Sequence, residues 1–121
     1  MQLIDLIAAR NVFDREKNTR VKAALAYKIM KFLKQTTDDA KFYFDRIKSI
    51  CETYGAKDSD GKLKIESGSI VIKKDGIVPA RKEIEELEKT EVETPVFFSI
   101  EELSELKLSV ADMECLCNVI K

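Results

Sequence analysis

Histidine is absent from this chain, and its absence removes most familiar catalytic chemistry at once. There is no Ser-His-Asp or Cys-His nucleophile pair, no imidazole-ligated zinc, and no side chain whose ordinary pKa suits general-base work near neutral pH. Cysteines and carboxylates remain. Cys115 and Cys117 form a Cys-x-Cys pair, but on the helix predicted there positions two apart point ~200° from each other, so the thiols do not converge on one ion. Leu116, Val119 and Ile120 surround them, which favours buried small hydrophobes over ligands. Cys51, beside Ile50, reads the same way.

The carboxylates fare no better. Asp58-Ser59-Asp60-Gly61 carries part of a calcium-loop pattern. Aligning Gly61 on the sixth loop position puts Ala56 first and Ser67 twelfth, which removes two principal ligands and leaves a plain turn. Glu83, Glu85, Glu86, Glu88, Glu91 and Glu93 form an acidic run, but Arg81, Lys82 and Lys89 interleave it, so it reads as a solvated helix face running into a strand. Arg15, Lys17, Arg20 and Lys22 gather four cations that Asp14 and Glu16 dilute, the pattern of an ordinary polar joint. The four glycines are scattered, so no phosphate-cradling loop exists. No catalytic, cofactor-binding or metal-ligating residue is assigned, and a non-enzymatic protein is expected.

Those residues sit in a chain of 121 residues, the size of one domain with a modest core. Charged residues make up 36% and apolar ones 45%, the balance of a folded helical protein rather than a disordered one. The net charge of −1 hides an asymmetry: residues 1–60 carry 12 Lys/Arg against 9 Asp/Glu (+3), and 61–121 carry 9 against 13 (−4). Neither value supports strong nucleic-acid binding, which needs several clustered cations. Three cysteines, an odd number, argue against a disulfide framework. The segment Met1 to Phe13 is too short and too polar for a signal peptide or a membrane span. A cytoplasmic protein without membrane contact is expected.

The expected fold is α+β and mainly α, one domain with a helical arm (1–55) and a small α+β part (56–121). A short first helix spans Leu3 to Phe13. From Arg20 to Tyr54 an apolar stripe (Val21, Leu25, Ile29, Phe32 and onward to Tyr54) keeps helical spacing. It is read as one helix of ~50 Å at ~1.5 Å per residue, capped by Thr19 and ended by a left-handed Gly55. Gln35 to Asp39 is its weak point, and a kink, or two helices (a helical hairpin) with Thr37 as the second N-cap, is the alternative. A β-hairpin follows around Ser67-Gly68, then a helix from about Pro79 to Lys89. Glu91 to Ser99 alternates as a strand that Pro95 confines to an edge. Ser99 with Glu102, a capping box, and Ser109 with Asp112, a looser relative with Asp in place of Glu/Gln, each open a short terminal helix.

A helix of that length leaves apolar surface that so small a monomer cannot cover, so self-association is expected. Phe42, Tyr43 and Phe44 point ~100° apart on a helix, so one buried face cannot take all three. Phe97 and Phe98 face opposite sides of any strand that holds both. Phe42, Phe44 and Phe97, with Met30 and Leu33 off the main stripe, are the candidate interface residues.

The ordering resembles that of a family of small phage and prophage proteins of unknown function from Gram-positive hosts. The likeness rests on Tyr54-Gly55, the turn from Lys57 to Lys62, Glu83-Ile84-Glu85-Glu86-Leu87, Ile100-Glu101-Glu102-Leu103, and the closing Leu108-Ser109 helix with Met113, Leu116 and Ile120. The resemblance implies a phage accessory protein in an infected cytoplasm or in the virion, partnered by itself or by a host or phage protein. An anti-defence inhibitor, blocking an immune effector or sequestering its nucleotide signal, is the alternative.

Overall fold

The computed structural model describes all 121 residues. In chain order it contains α1 (Leu3–Glu16), α2 (Ala23–Gln35), α3 (Thr37–Tyr54), β1 (Ile65–Glu66), β2 (Ser69–Ile70), α4 (Ile77–Glu88), α5 (Ile100–Leu103) and α6 (Val110–Leu116). One 3-10 turn (Lys74–Gly76) precedes α4 and another (Cys117–Val119) follows α6. The fold is therefore mainly helical with a small antiparallel sheet in the middle, as expected.

The arm is not one helix. It breaks at Thr36, whose φ of −102° and ψ of 5° separate α2 from α3. The alternative with a cap at this joint is the one realised, with Thr36 rather than Thr37 at the cap position. The cause lies partly in the next helix over. Arg10 of α1 donates through Nη1 to the Leu33 carbonyl (2.6 Å) and to Thr36 Oγ1 (2.6 Å). The Thr36 hydroxyl in turn donates to the Phe32 carbonyl (2.7 Å), and that of Thr37 to the Leu33 carbonyl (2.9 Å). Carbonyls at the end of α2 thus accept from side chains, and a cation sits where the helix dipole is negative.

α1 runs antiparallel to this bent pair. Phe13 meets Phe32, Arg10 reaches Thr36, and Leu6 and Ile7 pack on Ala40. The main core lies on the α1–α2 side, where Phe13, Phe32 and Phe98 meet with ring centroids 4.7 to 6.2 Å apart. Leu103, Leu106, Leu116 and Val119 close it from the C-terminal part, so both halves of the chain share one core.

The segment from Glu91 to Ser99 is not a strand. Its alternation is real, since Val96 and Phe98 are buried while Glu91, Glu93 and Phe97 are exposed. It lacks a ladder: Glu91 bridges Gln2 and Phe98 bridges Ile120, each as an isolated pair. Pro95 has no N–H to extend either bridge.

Gly55 is not left-handed either; its φ of −69° and ψ of 141° are extended. A glycine is required there by close approach, because a Cβ would collide with the Cys51 carbonyl and the Leu63 side chain. Thr19 does not cap α2. The cap residue is Lys22, whose backbone N–H donates to the Glu105 carboxylate at 2.9 Å, a cap supplied from 83 residues away. Ser67-Gly68 does form the hairpin turn, with positive φ at both residues (51° and 78°) and Ile65 paired with Ile70. Asp58 Oδ1 accepts from the backbone N–H groups of Asp60 and Lys62 (2.9 and 3.0 Å), which makes this stretch a side-chain-braced turn.

Candidate interaction surface

α3 packs one face against α4 and α1, leaving Phe42 56% and Phe44 55% exposed on its two flanks. Tyr43 between them is half-buried against Leu6, Ile7 and Ala40, and the Phe44 ring stands edge-on to it at 5.3 Å. Burial and the nearby Glu88 carboxylate both push the Tyr43 phenol above its ordinary pKa. Phe97 is 41% exposed, with Lys121 Nζ 5.2 Å from its ring centre, while Phe98 points into the core. Met30 is 46% exposed; Leu33 is half-buried and packs on the main core.

These five residues do not form one patch. Met30 and Leu33 line a cleft of about 560 Å³ between α1 and α2, and none of the three phenylalanines does. Phe42 and Phe44, two apart, point ~200° from each other around α3. Sequence reading missed Tyr27, which is 60% exposed. Its signal was available: Tyr27 sits two positions from both Leu25 and Ile29, hence on the opposite side of the helix.

The cysteines correct one expectation. Cys51 and Cys115 are half-buried, but Cys117 is exposed. α6 stops at Leu116 and tightens into the 3-10 turn, so Leu116 and Val119 face the core and Cys117 faces out. Nowhere do three His, Cys, Asp or Glu side chains converge as a metal site would require. No helix is long and apolar enough to cross a membrane.

Both capping boxes form, and each acid in them does a second job. Glu102 accepts from the Ser99 N–H (2.9 Å) and pairs with Lys28 of α2 (2.8 Å). Asp112 accepts from the Ser109 N–H (3.0 Å) and from both terminal guanidinium nitrogens of Arg15, Nη2 and Nη1 (2.7 and 3.1 Å). The C-terminal helices are thereby latched to α1 and α2. Of the sequence's four-cation joint, Arg15 is committed to this latch and Lys17 to Asp14.

Arg15, and after it the Ser109 N–H, hold the Asp112 carboxyl well below the carboxylate range; Lys28, then Ser99, lower the Glu102 carboxyl from its ordinary value. A folded-state pKa below the unfolded one gives stability that is present above the unfolded values of about 3.9 and 4.3 and is lost as pH falls through the folded ones. Urea midpoints are therefore expected to hold between about pH 7 and 5 and to drop below about pH 4. In Asp112→Asn that acid-side drop should shrink. An unchanged drop would show that the latch contributes nothing.

Neither a known protein family, nor a characterised protein, nor a solved structure matches this chain.

Proposed function

We propose that the chain is a non-enzymatic protein-binding module, a phage accessory protein as the sequence resemblance implies, that associates with itself or with a host or phage protein. The length of the arm no longer supports this, because the helix breaks at Thr36. One observation carries the reading instead: Phe42, Phe44 and Phe97 each keep two-fifths or more of their surface in water. Aromatic rings left outside a core are the side chains that anchor interfaces most strongly per residue.

Light scattering at micromolar concentration should give a mass above 13.8 kDa that rises with concentration. Phe44→Ala and Phe97→Ala should keep native circular dichroism while weakening association by roughly tenfold or more, the scale of a hot-spot truncation. A concentration-independent monomer would remove self-association. Wild-type association in both variants would place the interface elsewhere.

A further inference from the structure

We propose that the cleft between α1 and α2 is a docking site for an acidic amphipathic helix of a partner protein. This rests on the protein-binding reading above and assigns a partner chemistry to its Met30–Leu33 part, separate from the exposed phenylalanines.

The shape of the cleft fits a helix. Ala26, Met30 and Leu33 follow at steps of four and three along one wall, a ridge of about two turns of α2, with Thr37 beyond the break at its end. Arg10 and Asp14 of α1, with Lys17 at its C-cap, follow at four and three along the other. Two facing ridges with an apolar floor between them are the seat a third helix occupies in a bundle. Met30 suits such a floor because its unbranched side chain repacks around different partners.

Charge selects the occupant. Asp14 is paired with Lys17, and Glu16 is paired with Arg15 and accepts from the Thr19 hydroxyl. The two charged lining groups left without an ion pair, Arg10 and Lys34, are both cations. Arg10 spends only Nη1 on the α2–α3 joint; its Nε and Nη2 donate to nothing within the chain. From Arg20 to Thr37 the sequence holds five cations and no acid. A second copy of α2 laid in the cleft would set lysine against lysine, so this groove is not built to pair with α2 of another copy. A nucleic acid would meet an apolar floor and too few unpaired cations to hold its backbone. A helix with an apolar stripe flanked by Glu or Asp meets both features.

The test uses the full-length protein and labelled helical peptides of about 18 residues, long enough to form a helix on binding. One carries a leucine stripe flanked by Glu, the second the same stripe flanked by Lys, and the third the Glu flanks with Ser replacing Leu. By fluorescence anisotropy, the Leu/Glu peptide should bind and the other two should not, with affinity falling as salt is added. Lys34→Glu and Met30→Ser, both at exposed positions, should each weaken binding roughly tenfold, and Lys107→Glu, which does not line the cleft, should not. The proposal is overturned if the Leu/Glu peptide fails to bind, if the Leu/Lys peptide binds as well, or if neither cleft variant matters. Loss of the concentration-dependent mass in Met30→Ser would make a second copy the occupant and would overturn it as well. Loss of that mass only in the phenylalanine variants, with no peptide binding, would leave the protein-binding reading standing and this inference refuted.

Discussion

Phe98→Ala is expected to lower the free energy of unfolding by about 3–5 kcal/mol, the range for emptying a large aromatic from a packed interior. Phe98 is 1% exposed and touches rings from two helices, with centroids 4.7 Å from Phe13 and 6.2 Å from Phe32. It is also the only member of the trio on an irregular segment, held by its own N–H to the Val119 carbonyl and by its carbonyl from the Lys121 N–H. Those two backbone bonds hold the segment in place, so the cavity term should stay large. Against a total stability of about 5–15 kcal/mol, such a loss brings the domain near its threshold. Urea unfolding followed by circular dichroism measures it. A change below about 1 kcal/mol would mean that the three rings do not form the centre of the core.

Arg10→Met should be the other severe substitution, and it acts through polarity rather than volume. The methionine keeps most of the stem but removes the donor to the Leu33 carbonyl and Thr36 Oγ1, and Thr36 is buried. The Leu33 carbonyl keeps the Thr37 hydroxyl and the Thr36 hydroxyl keeps the Phe32 carbonyl, so what is lost is two hydrogen bonds from a charged donor, each of about 1.5–3 kcal/mol. Thr36→Val should cost less, because it removes only one of Arg10's two acceptors, Thr36 Oγ1, and leaves Nη1 on the Leu33 carbonyl. The pair should then be strongly non-additive: the double variant is expected to lose markedly less than the sum, since each single change already breaks the shared contact. Simple additivity would show that Arg10 and Thr36 do not act together at the joint.

The sequence revealed most of what local chemistry decides. Ser-x-x-Glu and Ser-x-x-Asp became the two capping boxes, Ser67-Gly68 supplied the two positive φ values of the hairpin, and Pro79 lies in the first turn of α4. Errors arose where a distant residue decided the outcome. Gln35 to Asp39 marked the weak point locally. Arg10, which braces the break at Thr36, and Glu105, which holds the start of α2, lie far along the chain, and neither contact follows from the neighbours of the residues it holds. Glu91 to Ser99 has a strand's alternation because it lies half-buried, yet a strand also needs a partner, which periodicity does not report. Cys117 was misplaced because one turn of tighter helix rotates the side chains that follow α6. For the candidate surface, exposure of Phe42, Phe44 and Phe97 was legible from helical and strand geometry. The cleft was not, since it is made by two helices whose mutual packing no single stretch encodes.

The shared core has a consequence for how the chain is made. Phe98, Leu103, Leu116 and Val119 close the wall that α1 and α2 begin, and the Arg15–Asp112 latch spans 97 positions. On the ribosome α1 and α2 are synthesised long before those residues, so their apolar faces wait without a lid. At ~5–20 residues per second the interval is several seconds, far longer than a helix needs to form. The nascent N-terminal half is therefore a ready substrate for holding chaperones, and a stalled or shortened product would display Phe13 and Phe32 to other chains.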